Sequence, residues 1–309
     1  VLIIGAMSFR LAGTLPVGGE MFVTTSLVIV GLFIVRAGVW LAETRPESPI
    51  AAIQERWRPA LQWAFARYAL FQTSTFFFIW LPPIKSAIPD KAGYWADVPL
   101  MHLERAILGR DPWEILHLLP NGVTPVIDFI YASWIILIVL VSLIIAMFGS
   151  AGLVARYFLS WAMAWIFLGV LVAYALPSAG PIFGPDIGFG FHGLHQQIDG
   201  TIAMRFHDML WDMQTAKSAD LGGGISAMPS MHCALTSIFV AASWHSRLRM
   251  PVLAYAMTIW FGSIYLGWHY ALDGLVSMAG VALIWRAASA IAEMRLSGAL
   301  QFRPSAARV

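Results

Sequence analysis

Two short segments of the chain carry residues that could do nucleophilic and acid–base chemistry. The first reads Ala-Met-Pro-Ser-Met-His and ends at His232, and the second reads Trp-His-Tyr-Ala-Leu-Asp and contains His269 and Asp273. Two imidazoles, one carboxylate and a glycine-rich lead-in are the groups needed to move a phosphoryl group through a phosphohistidine. Ionisable groups at the ends of membrane helices are functional candidates by default, because burying them near hydrocarbon is costly.

The composition indicates that these segments belong to a membrane protein. Of the 309 residues, 59% are hydrophobic and 12% are charged, and the mean hydropathy is +0.72, whereas a soluble domain carries about 25% charged residues. The net charge of +2 is too small to indicate a nucleic-acid partner. The single cysteine, Cys233, excludes an intramolecular disulfide and a multi-cysteine metal site. Because the chain starts at Val1 within an apolar run, the native N-terminus could lie further upstream.

Apolar stretches long enough to cross a bilayer, about 20 residues each, recur along the chain. We predict an all-α polytopic membrane protein, and residues 1–13 could be the end of one more span. The predicted spans are residues 21–42, 60–83, 124–148, 153–176, 229–246, 251–268 and 272–292.

The distribution of arginine sets the orientation of these spans. The basic residues that fall on one side are Arg45, Arg56, Arg58, Arg156, Arg247, Arg249, Arg286, Arg295, Arg303 and Arg308. We interpret this side as cytoplasmic, because cytoplasmic loops carry an excess of Lys and Arg. The opposite side holds two long loops, 84–123 and 177–228, and the ends of the spans that carry the three candidate residues. The active site is therefore predicted at the outer face, periplasmic or lumenal.

The two outer loops are predicted to be structured. In loop 84–123, apolar residues recur at helical spacing (Leu100, Leu103, Ile107 and Leu108), which predicts a short amphipathic helix on the membrane surface. Loop 177–228 is rich in Gly and Phe, and we expect it to fold over the active face as a lid.

Loop 177–228 also contains His192, His195 and His207. Their spacing matches no recognised metal-ligand pattern, so we interpret them as loop histidines, although a metal site built from them is possible. Asp273 and two histidines already assigned to other roles do not make a two-metal centre. We therefore predict no catalytic metal and no cofactor, and activity that survives EDTA.

A helix start is predicted after the glycines at 222–224. Proline is favoured in the first helical turn, so we expect the helix to begin near Pro229. Its free N–H groups would form an anion site, and glycine lets a phosphate approach the backbone closely. Gly224, Ser226 and Ser230 are the candidate phosphate ligands, and a capping role for Ser230 is an equal alternative.

His269 and Asp273 are four residues apart, a spacing that puts two side chains on one face of a helix. A carboxylate bonded to one ring nitrogen fixes the tautomer and leaves the other nitrogen free as a nucleophile. The flanking glycines, Gly267 and Gly274, allow close packing or a local bend.

Together the two segments resemble the second and third motifs of the type 2 phosphatidic acid phosphatase superfamily. Met-Pro-Ser-Met-His and His-Tyr-x-x-Asp are closer to its inositol phosphorylceramide synthase branch than to its phosphatases, whose second motif contains Ser-Gly-His. Gly262-Ser263 stands where the phosphatases have Ser-Arg, and loop 177–228 contains no Lys-x6-Arg-Pro motif. The motif resemblance covers residues 222–274.

The resemblance implies a fold and a set of roles. The fold would be a six-helix transmembrane core with additional N-terminal spans: N-terminal spans and an outer loop at 1–120, the catalytic core at 121–295 and a cytoplasmic tail at 296–309. His269 would be the nucleophile, Asp273 would orient it, and His232 would act as general acid and base. Phosphate would need a cation, and the candidates are Lys217, Arg205 and Lys85.

The resemblance also implies the reaction. A phosphate-linked head group would pass from a phospholipid donor to a lipid-alcohol acceptor, and the alternative is a lipid-phosphate phosphatase that uses water. A transporter would need polar residues at the midplane of several spans, and apart from Arg67 and Asp128 the predicted spans are nearly free of them. The sequence indicates neither the lipids nor the oligomeric state.

The predicted orientation can be tested by cysteine labelling. Cysteines that replace Lys91 and Lys217 should react with an impermeant thiol reagent in intact cells, because both positions lie in outer loops, whereas one that replaces Arg249 should not. The parent chain, which carries Cys233, gives the background. The reverse labelling pattern would overturn the orientation and the external active site.

Overall fold

The computed structural model describes residues 16–88, 93–216 and 224–301, and within these ranges the chain forms helices and no strands. The α-helices are α1 (Pro16–Thr44), α2 (Pro49–Ser86), α3 (Asp97–Leu108), α4 (Pro112–Leu116), α5 (Thr124–Ala132), α6 (Trp134–Phe148), α7 (Ala151–Met163), α8 (Ala173–Ala175), α9 (His192–Gln197), α10 (Ile202–Thr215), α11 (Met231–Ser243), α12 (Arg249–Tyr265) and α13 (Ala271–Gln301). A π-helical stretch, Ala164–Val172, joins α7 to α8, and short 3₁₀ turns lie at Asn121–Val123 and Pro181–Phe183.

The chain divides into two compact units. One comprises the described residues up to Leu81 together with Ser142–Phe148, and the other comprises Pro82–Val141 and the described residues from Gly149 on. In the first unit, polar side chains link α1 to α2: the Gln72 amide donates to Ser26 Oγ at 2.9 Å, and Ser26 Oγ lies 3.0 Å from Tyr68 Oη. All three candidate catalytic residues lie in the second unit.

Three helical stretches are long and apolar enough to span a membrane: Val23–Thr44, Ala151–Ala175 and Ala271–Met294. The pair Thr124–Ala132 and Trp134–Phe148, bent by 40°, would make a fourth if it counts as one span. The protein is thus an integral membrane protein, as the composition predicts.

The predicted count of six core spans is not confirmed. The predicted spans 229–246 and 251–268 correspond to α11 and α12, helices of 13 and 17 residues. At 1.5 Å per residue they extend about 20 and about 26 Å, which is less than the hydrocarbon thickness of about 30 Å.

The core of the second unit is built by α11, α12, α13 and α7. Helix α11 packs against α12 and α13, and α13 packs against α7. The largest fully buried side chains of this core are aromatic: Trp161, Tyr157, Tyr265 and Tyr270. This packing brings the beginning of α11 and the beginning of α13 together.

Loop 177–216 folds onto the segments that precede α11 and α13. The Ile182 N–H donates to the Gly267 carbonyl at 2.7 Å, and the Ala227 N–H donates to the Ser178 carbonyl at 2.7 Å. Helix α10 is capped from α5, because the Asp128 carboxylate accepts the N–H groups of Ile202 and Ala203 at 2.6 and 3.0 Å. Asp128, a rare acid within the predicted spans, therefore has a structural role.

The amphipathic helix predicted in loop 84–123 is present as α3, but its two faces have unexpected roles. Leu103, Ile107 and Leu108 are exposed, so the apolar face is free to contact lipid, whereas Asp97 and Glu104 are buried. The Asp97 carboxylate accepts the N–H groups of Ala179 and Gly180, and Glu104 accepts the Leu272 N–H at 2.9 Å. The buried acids therefore brace the turn near residue 180 and the backbone just after His269.

Burial raises the pKa of both carboxyl groups. It raises the pKa of Glu104 to about 7, an effect that the Leu272 N–H opposes and the nearby Asp273 reinforces. It also raises the pKa of Asp97 to about 6, although the Ala179 and Gly180 N–H groups act in the opposite direction.

The elevated pKa of Glu104 predicts a pH dependence of stability. The folded-state pKa of about 7 exceeds the ordinary value of 4.5, so the contribution of Glu104 to folding is fully present below about pH 4.5 and is lost as pH rises through about 7. A shift of this size corresponds to a free energy on the order of 3 kcal/mol.

Glu104→Gln should remove this contribution while keeping an oxygen that accepts the Leu272 N–H. We expect the free energy of unfolding of the variant to fall less than that of the parent between about pH 5 and about pH 8, measured by thermal unfolding in detergent across that range. The exposed Glu114 gives a matched control as Glu114→Gln. Parallel pH curves for the parent and Glu104→Gln would contradict the assignment.

Candidate active site

Ser230 caps the helix that carries His232. Its hydroxyl accepts the Cys233 N–H at 3.3 Å, its side chain is fully buried, and α11 begins at Met231. The predicted helix start near Pro229 is therefore two residues too early, because serine is a preferred N-cap and its hydroxyl satisfies a free N–H of the first turn. The capping role of Ser230 is confirmed, and its role as a phosphate ligand stays a prediction.

His232 lies against an aromatic wall formed by α5 and the start of α6. Its ring stacks on Tyr131 with centroids 4.6 Å apart and contacts Trp134 at 4.1 Å. Both aromatic residues are buried, and neither the Tyr131 hydroxyl nor the Trp134 Nε1 has a hydrogen-bond partner among the described residues. The two aromatic faces therefore hold the His232 ring in place beside His269.

His269 faces His232 directly. The His269 Nε2 lies 3.4 Å from the His232 Nδ1, and the His269 side chain is almost fully buried. His269 precedes α13 rather than lying within it, since the helix begins at Ala271. The sequence motifs, 37 positions apart in the chain, thus meet at one point as predicted.

Asp273 lies behind His269. Its carboxylate is fully buried, its Oδ2 accepts the Tyr270 N–H at 3.0 Å, and the same oxygen lies 3.4 Å from the His269 Nδ1. This distance is longer than a normal hydrogen bond, and such contacts commonly tighten when substrate binds. The arrangement directs Nδ1 toward the carboxylate and leaves Nε2 as the reactive nitrogen.

The protonation of His269 suits a nucleophile. Burial lowers the pKa of His269 to about 3, the backbone of Ala227 acts in the opposite direction, and the charge of Lys85 lowers the pKa further. The imidazole is therefore neutral near pH 7, with a lone pair on one ring nitrogen.

Two glycines allow the close packing around this segment. At Gly267, φ is +75° and a Cβ would lie 2.2 Å from Leu194 Cδ2. At Gly274, a Cβ would lie 2.3 Å from the Trp260 ring. The expectation of close packing at these two positions is therefore confirmed.

Lys85 is the cation that approaches the two histidines. Gly224 has φ +93°, and a Cβ there would lie 2.5 Å from Lys85 Cβ and 2.9 Å from the Ser86 nitrogen. The glycine therefore lets the end of α2 contact the segment that leads to His232. Of the two candidate cations in the described ranges, Lys85 is the one whose charge acts on His269.

The structure also describes two of the other candidate phosphate ligands, Ser226 and Arg205. Arg205 is exposed on α10, and Ser226 is half-buried; within the described ranges, neither side chain forms a hydrogen bond or ion pair. Lys217 lies outside the described residues.

Sequence reasoning missed the residues that surround the motifs. Tyr131 and Trp134 are three positions apart, a spacing that places them on one side of the α5–α6 bend, but an aromatic pair of this kind usually marks a core. Asp97 and Glu104 looked like loop acids. The Tyr270 hydroxyl donates to Asp97 Oδ1 at 3.1 Å, which ties α3 to the residue after the nucleophile.

Comparison with known proteins gives one match. No curated protein and no solved structure is significantly similar to the chain. The model of the PAP2 superfamily matches residues 99–289, a range that covers more than half of the chain and includes all three candidate catalytic residues. Members of that superfamily are typically phosphatases or phosphotransferases. The chain belongs to the PAP2 superfamily.

Proposed function

We propose that this protein is a membrane lipid phosphotransferase that moves a phosphate-linked head group from a phospholipid to a lipid hydroxyl through phospho-His269. One observation carries the proposal. The neutral His269 Nε2 and the His232 Nδ1 face each other at 3.4 Å, with the buried Asp273 on the far side of His269. The acid–base group therefore lies next to the nucleophile, and the nucleophile lies next to the carboxylate that orients it.

In the first step, His269 Nε2 attacks the phosphorus of the donor. The bond between phosphorus and the lipid oxygen breaks, and His232, in its protonated form, gives a proton to that oxygen. The products are a lipid alcohol and a head group bound through phosphorus to Nε2. Asp273 stabilises the positive charge that develops on the His269 ring.

In the second step, the acceptor hydroxyl gives its proton to His232 and its oxygen attacks phosphorus. The bond between phosphorus and Nε2 breaks, and His269 returns to its neutral form. General acid–base assistance of this kind contributes typically about 10²- to 10⁴-fold in rate. The 3.4 Å gap between the rings is narrower than a phosphoryl group, so substrate must part the two rings or enter beside them.

Lys85 is the proposed ligand of the phosphoryl oxygens. It lies beside Gly224 and influences His269 electrostatically, and positive charge on the oxygens stabilises the transition state of phosphoryl transfer. Burial lowers the pKa of Lys85 to about 8, and a bound phosphate would favour its charged form.

Transfer to a lipid, rather than to water, is supported by the surroundings of the histidines. The His232 ring is packed against Tyr131 and Trp134, and His269 is only 5% exposed, so little room is left for bulk water. The exposed apolar face of α3 gives a surface along which a lipid chain could lie. We place this site at the outer face of the membrane, from the charge bias of the loops.

The products distinguish transfer from hydrolysis. Purified protein is incubated with a labelled phospholipid, with and without ceramide or diacylglycerol as long-chain alcohol. We expect a new phospholipid that requires the added alcohol. Release of free phosphate or of the phosphorylated head group, unaffected by the alcohol, would instead indicate a phosphatase-type reaction with water as acceptor.

Replacement of each of the two histidines should affect the reaction differently. His269→Ala should abolish both steps, because no nitrogen remains to form the intermediate. His232→Ala should slow departure of the lipid oxygen, and a donor with a good leaving group should partly restore the first step, because such a group needs no proton. The rates are measured by release of the leaving group, and His245→Ala, at an exposed position in the turn after α11, is the matched control.

Rescue of His269→Ala by the activated donor would show that the roles are exchanged. The intermediate itself gives a second readout. When the acceptor is withheld, labelled phosphorus should be trapped on His269 in a bond that is labile in acid and stable in base. An intermediate with the opposite stability would exclude phosphohistidine.

A further inference from the structure

A second cluster of titratable side chains lies outside the proposed active site. Asp186, His195 and His207 each offer one potential ligand atom, and these atoms all lie within 4.8 Å of one another. The residues come from three segments: the turn after Pro181–Phe183, helix α9 and helix α10. Nothing in the proposed reaction uses them.

His207 is held between two carboxylates. Its side chain is 5% exposed, its Nδ1 lies 3.0 Å from Asp208 Oδ1, and its Nε2 lies 2.8 Å from Asp186 Oδ2. The ring also stacks on Phe183 with centroids 4.7 Å apart. If the Nδ1–H donates to Asp208, the Nε2 lone pair points at the Asp186 oxygen. A lone pair and a carboxylate oxygen attract each other only through a shared proton or a metal ion that binds both atoms.

The orientation of His195 brings a further potential ligand atom to the cluster. Its Nε2 lies 2.6 Å from the Ile182 carbonyl oxygen. Because a carbonyl oxygen only accepts, Nε2 donates this bond, and Nδ1 is the ring nitrogen left to coordinate a metal ion. Its ring centroid is 5.0 Å from that of His207. Donation of the second N–H to a carbonyl or carboxylate is what orients metal-ligating histidines, and both His195 and His207 have such a partner.

We propose that Asp186, His195 and His207 bind a divalent transition-metal ion, with Zn²⁺ as the best fit. Two imidazole nitrogens and one carboxylate suit Zn²⁺ with a fourth, open position for water. Metal–ligand bonds of about 2.1 Å put neighbouring ligand atoms about 3.4 Å apart in a tetrahedral site. The observed separations, 2.8 Å for one pair and no more than 4.8 Å for any, bracket that value.

Charge and access also suit a cation. Asp186 and Asp208 bring two negative charges to two imidazoles, a balance that one divalent ion neutralises. The Asp186 side chain is 21% exposed whereas His207 is buried, so an ion could reach the cluster from the Asp186 side.

The ion would hold the outer loop against the segment that carries His269. Ile182, which orients His195, donates its N–H to the Gly267 carbonyl at 2.7 Å. Phe183, which stacks on His207, contacts Trp268 with ring centroids 5.9 Å apart. The proposed role is therefore structural, and it does not rest on the proposed phosphotransfer. The prediction that catalysis itself uses no metal stands beside it.

The test is metal content. The protein is produced with a histidine-free affinity tag, purified without chelators and analysed by inductively coupled plasma mass spectrometry. We expect about one transition-metal ion per chain. His195→Gln should abolish it, because glutamine can still donate to the Ile182 carbonyl and leaves the Asp186–His207–Asp208 contacts in place but offers no imidazole ligand. His245→Gln, at an exposed position, should keep the ion.

Thermal unfolding gives the second measurement. Dialysis against EDTA should lower the Tm of the parent, and added Zn²⁺ should restore it, whereas the Tm of His195→Gln should respond to neither. A parent protein that contains no stoichiometric metal and whose Tm is unchanged by Zn²⁺ would overturn the proposal. So would a His195→Gln variant that binds the ion as the parent does.

Discussion

The active-site region depends on buried carboxylates that accept main-chain N–H groups. Asp273 accepts the Tyr270 N–H, Glu104 accepts the Leu272 N–H, and Asp97 accepts the Gly180 N–H. A carboxylate away from water is tolerated only when hydrogen bonds replace its solvent, so each bond constrains the backbone that provides the donor. These constraints act on two residues that follow His269, Tyr270 and Leu272, and on the turn near residue 180.

Helix α3 has two faces with different roles. The face that carries Asp97 and Glu104 is buried against the active-site segment, and the opposite face exposes Leu103, Ile107 and Leu108. One short helix can thus support the reactive residues from one side and contact lipid from the other. That arrangement suits an enzyme of the PAP2 superfamily acting on substrates that remain in the bilayer.

The two histidines have different surroundings, and the difference supports different roles. His269 is buried with a lowered pKa and has a carboxylate behind it, which favours a neutral nucleophile. His232 is flanked by the faces of Tyr131 and Trp134, which hold its ring opposite the His269 Nε2. Two imidazoles 3.4 Å apart cannot easily carry charge at the same time, which agrees with the proposed reaction, in which His269 is neutral when His232 carries the proton.

The sequence by itself determined the membrane class, the helical architecture and the two histidine motifs with their aspartate. The first two follow from local properties, since hydropathy identifies apolar helices. A helical spacing of four residues is not what places His269 beside Asp273, because His269 precedes α13. The lengths of the helices, the start of α11 and the contact between the Lys85 region and Gly224 were decided by tertiary structure. So were the aromatic wall around His232 and the buried face of α3. Each depends on which distant segments pack together, and burial turned Asp97 and Glu104, ordinary loop acids in the sequence, into supports of the active site.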